Sequence, residues 1–206
     1  MLNVQHEKTP IRGVLIIGFS RYSDERGFFG ETLRISDLPF IKNLNIVQIN
    51  ESYSVGNVIR GLHFQWNPYM GKIVRLLRGE FYDLLVDIRK GSPTFGKGII
   101  IKLTRDIKAT EDKVIWLPPG IAHGFFCLED CVLEYYCTGE YSGSTEDNIS
   151  PLAKDIDWSL SNQSYYDIFK KMQLSAIITD KDRDGATIKS WSNNANSSNF
   201  IYDSHE

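Results

Sequence analysis

Between Gly13 and Tyr141 the chain is a succession of short runs rich in Val, Ile, Leu, Phe and Tyr, each closed by turn residues, and this rhythm constrains the fold more than any other feature. Ile73 to Leu77, Phe81 to Ile88, Ile99 to Leu103, Val114 to Leu117 and Val132 to Cys137 each read as a strand. Arg78-Gly79-Glu80 separates the first two, Lys90-Gly91-Ser92-Pro93 closes the second, and Pro118-Pro119-Gly120 ends the fourth, where proline fixes φ and removes a ladder donor. In Phe81 to Ile88 the period of two puts Tyr82, Leu84, Val86 and Ile88 on one face, and Phe81, Asp83, Leu85 and Asp87 on the other. No long helical pattern falls between these runs. The expected class is therefore all-β, an antiparallel sandwich or jelly-roll barrel with short peripheral helices.

After Tyr141 the character changes. Residues 142 to 158 are polar and turn-rich, 162 to 174 predict a short helix carrying Tyr165, Ile168, Phe169 and Met172, and the Ser/Asn run 192 to 199 is expected to fray. The organisation expected is one domain over 1–191 and a polar C-terminal tail over 192–206. A chain of 206 residues with 42% hydrophobic content can build one sizeable core, and no internal repeat asks for a second.

A formal net charge of −3 supplies no basic field, so neither nucleic acid nor an anionic membrane is an expected partner, and any phosphate site must be local. Cys127, Cys131 and Cys137 are an odd set with no C-x-x-C spacing and no His within the cluster, which favours reduced thiols over a disulfide framework or a zinc site. The N-terminal residues Met1 to Glu7 lack a basic start followed by an apolar run, and no stretch approaches the roughly 18 apolar residues of a membrane span, so a cytoplasmic location is expected.

Two histidines sit in settings that suit chemistry. In Arg60-Gly61-Leu62-His63-Phe64-Gln65 strand alternation places His63 and Gln65 on one face and Leu62 and Phe64 on the other, so the imidazole projects beside polar company. In Pro118-Pro119-Gly120-Ile121-Ala122-His123-Gly124-Phe125 a rigid turn feeds a strand, and the flanking glycine permits close backbone approach. Either His alone is equally well explained as a structural hydrogen-bonding residue. Arg26 or Arg60 alone reads as a surface ion pair, Tyr135 as a core aromatic, and Glu31, Glu146 and Lys181 as solvated charges. The combination of both histidines with Arg60, Lys72 and Tyr135 is what favours a site.

Six segments occur in an order that resembles the dTDP-4-dehydrorhamnose 3,5-epimerase family: Asp24 to Glu31, Val47 to Asn50, Arg60 to Gln65, Gly71 to Arg75, Val86 to Gly96, and Gly120 to Phe125. The resemblance runs from about residue 10 to 158 and again over 179 to 184. It implies a cupin-type jelly roll, usually a homodimer, that inverts carbons flanking the C4 ketone of a dTDP-linked 4-keto-6-deoxyhexose without metal or redox cofactor. His63 falls at the family's catalytic base, Tyr135 in Leu133-Glu134-Tyr135-Tyr136-Cys137-Thr138 at its general acid, Lys72 at the lysine near the developing enolate, and Asp182 at the aspartate orienting the base. Arg26, Glu31, Gln48, Asn50, Arg60, His123, Glu146 and Lys181 match its nucleotide-sugar contacts, and Tyr141 the aromatic stacked on thymine. The chain departs from the family by a longer spacing between Trp158 and Asp180, and by Ser159 where proline is typical.

These residue types suit the implied reaction. Removing a proton beside a ketone needs a base close to working pH, and an unperturbed imidazole titrates at about 6.5. Inversion needs a weak acid on the opposite face, for which a phenol serves, and an ammonium group can stabilise the enolate oxygen. Three rival readings carry different expectations. A metal-dependent cupin would need converging His and carboxylate ligands, whereas Gln65 and Lys72 stand near His63 here. A catalytically silent sugar-nucleotide-binding protein would have no use for both His63 and a strand-borne tyrosine. A single-centre epimerase of a related nucleotide sugar differs from the double inversion taken as the reading only in sugar tilt and placement of the acid. For the dimer, the N-terminal strand is the candidate to cross to the partner sheet.

Overall fold

A computed structural model describes residues 4–41 and 44–203. Along the chain come β1 (Gln5–Lys8), β2 (Leu15–Ser20), the hairpin of β3 (Tyr22–Asp24) and β4 (Gly27–Phe29), then β5 (Gln48–Ser54), β6 (Val58–Gln65), β7 (Lys72–Arg78) and β8 (Glu80–Asp87). There follow β9 (Gly98–Thr104), β10 (Glu111–Leu117), β11 (Ile121–Cys127), β12 (Cys131–Cys137) and β13 (Glu146–Asn148). Three helices come last, α1 (Gln163–Met172), α2 (Asp180–Arg183) and α3 (Ile188–Asn193). A six-stranded sheet runs in the order β1-β2-β10-β7-β12-β5, and a five-stranded sheet in the order β13-β6-β11-β8-β9. Successive strands cross between the sheets, as in the expected jelly roll.

The alternation read in β8 explains why both of its faces are buried. Phe81 and Leu85 point between the sheets, meeting Val74, Leu76, Ile115 and Leu133 of the six-stranded sheet. Tyr82, Leu84, Val86 and Ile88 point outward from the barrel and are covered by Trp158, Phe169, Trp191 and Phe200. The helices therefore act as a third layer on the five-stranded sheet. Tyr82 stacks on Phe126 at 4.6 Å between ring centroids, and Phe126 on Phe169 at 5.3 Å. The predicted helix over 162 to 174 forms as α1, capped by Asn162, whose side chain accepts from the Ser164 amide at 2.9 Å.

The C-terminal expectation needs correction. Far from fraying, Ala195–Asn199 forms a 3-10 helix, and the Asn194 side chain accepts from the Asn196 amide at 2.9 Å. Phe200 is fully buried, packing on Phe64 and Trp191. Composition pointed to a loose polar tail over 192–206, but one aromatic anchor gives the segment enough apolar burial to order it as far as the described residues reach. At the other end β1 pairs antiparallel with β2 of its own chain, Gln5 opposite Gly18, as the edge strand of the six-stranded sheet. All four of its residues are exposed.

Candidate functional site

The two sheets enclose a cavity of about 250 Å³ lined by His63, Lys72, His123, Tyr135, Arg60, Asn50, Tyr141 and Glu146, with Ser52, Gln65 and Cys137 among their neighbours. A larger cavity of about 590 Å³, between residues 6–15 and Phe40, holds none of the predicted site residues.

Strand register brings the histidines together. His63 of β6 stands opposite His123 of β11, next to a bulge. Gly61 has φ +102, and a Cβ there would meet Gly124 Cα at 2.4 Å; a Cβ on Gly124 would meet the Arg60 carbonyl oxygen at 2.3 Å. Both positions thus require glycine for the strands to approach.

His63 Nε2 lies 2.7 Å from Asp182 Oδ1, and the second carboxylate oxygen accepts from the Gly61 amide at 3.2 Å. Asp182 is 4% exposed and sits on α2, whose N-cap Thr179 accepts from the Asp182 amide. Its burial opposes ionisation, yet His63, the Gly61 amide and Thr179 together hold the carboxyl below its usual range. The segment that exceeds the family spacing leaves this pair intact: α1 packs on the outside of the barrel, and Ile177 then runs beside β6, its carbonyl accepting from Ile59 N at 3.0 Å. The chain is thereby delivered back to α2.

Lys72, Tyr135 and Asn50 reach the cavity from the opposite sheet. Register pairs Tyr135 with Asn50 and Cys137 with both Lys72 and Gln48, so these side chains share a face. Tyr136, one residue on, packs on the other side of the sheet with Ile73, Val114 and Trp116, which identifies Tyr135 as the phenol in the cavity. Burial pushes the Tyr135 hydroxyl above its usual range, opposed by a hydrogen bond with Ser52. Burial likewise pushes the Lys72 ammonium down, opposed by Cys137, Glu146 and Asp83.

The remaining predicted residues fall into two groups. Gln48 donates to Asn50 Oδ1 at 2.8 Å and accepts from the Tyr141 amide at 2.8 Å. Glu146 accepts from Lys181 Nζ at 2.6 Å and from the Tyr141 hydroxyl at 3.3 Å, and Arg60 donates to the Tyr53 carbonyl at 3.1 Å. These residues form a polar rim at the cavity. Arg26 and Glu31 are not part of it. Arg26 lies in the β3–β4 turn paired to Asp24 at 2.6 Å, and Glu31 is held by Arg34.

Asp83 was not among the residues singled out, and the structure places it at 2.7 Å from His123 Nε2 with 0% exposure. Burial drives its carboxyl up and the His123 imidazole down, and the nearby Lys72 ammonium opposes the first and adds to the second. A signal existed: an acid on the inward face of β8 between Phe81 and Leu85 cannot be a solvated charge. Among the described residues no three His, Cys, Asp or Glu side chains converge as a metal-ligand set, and no helix is long and apolar enough to cross a membrane.

Residues 8–190 match the family model described as dTDP-4-dehydrorhamnose 3,5-epimerase. A relative with that name from Methanothermobacter thermautotrophicus is 38% identical over 182 residues, covering 85% of this chain and 90% of the relative. The crystal structure of dTDP-6-deoxy-D-glucose-3,5-epimerase from Legionella pneumophila, in complex with dTDP-4-keto-L-rhamnose, superposes with a TM-score of 0.78 at 31% identity, over 97% of this chain and 98% of that one. The 4-keto-6-deoxy sugar epimerase of the novobiocin cluster of Streptomyces spheroides gives a TM-score of 0.80 at 26% identity, over 99% and 96% of the two chains.

Proposed function

The chain belongs to the dTDP-4-dehydrorhamnose 3,5-epimerase family of cupin-type jelly rolls, and from this premise we propose that it inverts C3 and C5 of dTDP-4-keto-6-deoxyglucose by proton removal and return through an enolate. The observation that carries the reading is the placement of two acid–base groups on opposite walls of one cavity: His63, hydrogen-bonded to Asp182, on the five-stranded sheet, and Tyr135 on the six-stranded sheet.

A sugar ring held between the walls presents one face to the imidazole and the other to the phenol. His63 takes the proton from carbon beside the ketone, and the Asp182 carboxylate fixes the ring and favours the imidazolium that forms. Lys72 stands ready to stabilise the enolate oxygen, an effect worth about 100- to 1,000-fold for a preorganised donor. Tyr135 returns a proton from the other side, and the centre is inverted. The polar rim of Gln48, Asn50, Arg60, Glu146 and Lys181, with the buried His123 deeper in the cavity, supports diphosphate and sugar contacts, with Tyr141, 59% exposed, available to stack on the base.

A homodimer belongs to the same reading. On the β3–β4 hairpin Phe29 is 70% and Tyr22 57% exposed, apolar surface that a second copy would cover. Arg26 and Glu31, on this segment, would then serve the nucleotide end of a neighbouring cavity. Sedimentation of the purified chain tests this; a monomer at micromolar concentration removes it. The activity itself is tested by NMR of the product formed from dTDP-4-keto-6-deoxyglucose. Inversion at both carbons is expected, inversion at one would make the chain a single-centre epimerase, and unchanged sugar in heavy water with no label beside the ketone would overturn the reading.

A further inference from the structure

The reaction leaves an accounting problem at Tyr135. After one inversion His63 carries an extra proton and Tyr135 lacks one, so neither group can act again until both are reset. The His63 side chain is 29% exposed and can hand its proton to water. Tyr135 lies deeper, and its hydroxyl has, among the described residues, one hydrogen-bond partner: Ser52 Oγ at 3.1 Å. Ser52 is on β5, an edge strand of the six-stranded sheet, and pairs with Leu133, so it lies diagonally across from Tyr135 on the cavity face. It is half-buried and lines the cavity beside the phenol.

We propose that Ser52 is a positioning residue for the acid: its hydroxyl fixes the Tyr135 phenol toward the sugar and resupplies the proton that Tyr135 delivers. The inference rests on Tyr135 being the acid. In the reset step the phenolate takes the proton of the Ser52 hydroxyl while Ser52 takes one from cavity water. One O–H bond forms at Tyr135, one breaks and re-forms at Ser52, and one breaks in the water, whose hydroxide is neutralised by the proton that His63 releases, so each cycle is neutral overall. A serine suits this task because its hydroxyl donates and accepts at once and rotates freely. The same donation to the phenolate favours the charged form, opposing the burial that makes Tyr135 a reluctant acid.

The experiment compares the full-length chain with Ser52→Ala, Ser52→Thr and Tyr135→Phe on dTDP-4-keto-6-deoxyglucose in heavy water, following label uptake and inverted product separately by NMR. Loss of one hydrogen bond to a developing phenolate should slow inversion by about tenfold in Ser52→Ala, while label uptake driven by His63 stays within about twofold of the parent. Ser52→Thr keeps the hydroxyl and should recover most of the inversion rate. If Tyr135→Phe fails to invert but Ser52→Ala inverts at the parent rate, water reaches the phenol directly and the proposal is overturned with the acid assignment intact. If Tyr135→Phe inverts normally, the acid assignment itself has failed. Equal loss of uptake and inversion in Ser52→Ala, or no recovery in Ser52→Thr, would assign Ser52 to the general shape of the cavity and overturn its role.

Discussion

Asp182 Oδ1 lies 2.7 Å from His63 Nε2 although the two residues are 119 apart in the chain. Thr179 caps the helix that carries Asp182, and Asn148, which pairs with His63 across β13 and β6, donates to the Lys181 carbonyl at 3.1 Å. The carboxylate is thus tied to the strand of the imidazole it contacts. His63→Ala should cost at least about 100-fold in label uptake beside the ketone. Asp182→Asn keeps the shape but offers an amide to the ring, and should lower uptake and inversion together by about 10- to 100-fold with little change in KM. Steady-state kinetics with the isotope assay checks both; uptake at the parent rate in His63→Ala would remove it as the base.

Two adjacent phenols make a sharper test. Tyr135→Phe should retain label uptake while inversion falls, because the base is untouched and the acid is gone. Tyr136 points to the far side of the sheet, where its hydroxyl donates to Glu134 at 2.5 Å. Tyr136→Phe should leave both rates unchanged and lower stability by about 1 kcal/mol. The reverse pattern would exchange the two assignments.

Asp83 links His123 to the Lys72 side of the cavity, so its carboxylate has two dependants. In Asp83→Asn the imidazole loses its anionic partner and the ammonium one of its opposing charges. The expected result is a fall in kcat of about 10- to 100-fold, with a smaller effect on KM. Lys72→Met, which removes the ammonium outright, should cost about 100- to 1,000-fold. A larger loss in Asp83→Asn than in Lys72→Met would show that the dyad acts other than through Lys72.

How much of this was legible follows from the physics of each element. The inward and outward faces of β8 could be read directly, because side-chain alternation is a local property. That His63, Lys72 and Tyr135 line one cavity was legible from ordered motifs. Asp83 lay in plain view on the inward face, yet only the fold supplies His123 as its partner. Arg26 and Glu31 were named from their motif, but in this chain they pair with Asp24 and Arg34 away from the cavity, because a motif does not encode where a hairpin is placed. The order at the C-terminus depends on Phe200 finding Phe64 and Trp191, a long-range event that composition does not encode.

The outer layer offers a test of stability without chemistry. Phe169 is fully buried against Phe126 and Trp158, while the return of the chain to α2 is held separately by Ile177 beside β6. Phe169→Ala should cost about 3–5 kcal/mol and lower Tm, yet leave kcat at 25 °C near that of the parent. A collapse of kcat in protein that remains folded by circular dichroism would mean that α1 helps to set the His63–Asp182 pair.

Acid sensitivity should be concentrated at Asp87, which is 0% exposed and receives Arg89 Nε at 3.0 Å, Ser92 Oγ at 2.6 Å and Thr94 Oγ1 at 2.7 Å. Burial alone would raise its pKa, but Arg89, Ser92 and Thr94 outweigh it and hold the carboxyl below its unfolded value. The sign follows from linkage. Below the folded pKa the carboxyl is protonated in both states and contributes nothing; above the unfolded value of about 3.9 it is ionised in both, and its full contribution is present. Stability from this group is therefore constant at neutral pH and is lost as pH falls below about 4 through the folded pKa. Asp87→Asn takes the carboxylate away from Arg89, and should cost about 3–5 kcal/mol at pH 7 by urea denaturation. The gap between parent and variant should narrow as the pH drops below about 4. Stability curves that stay parallel from pH 7 into the acid range would mean that Asp87 titrates alike in the folded and unfolded chain, and that its hydrogen bonds confer no preference for the ionised form.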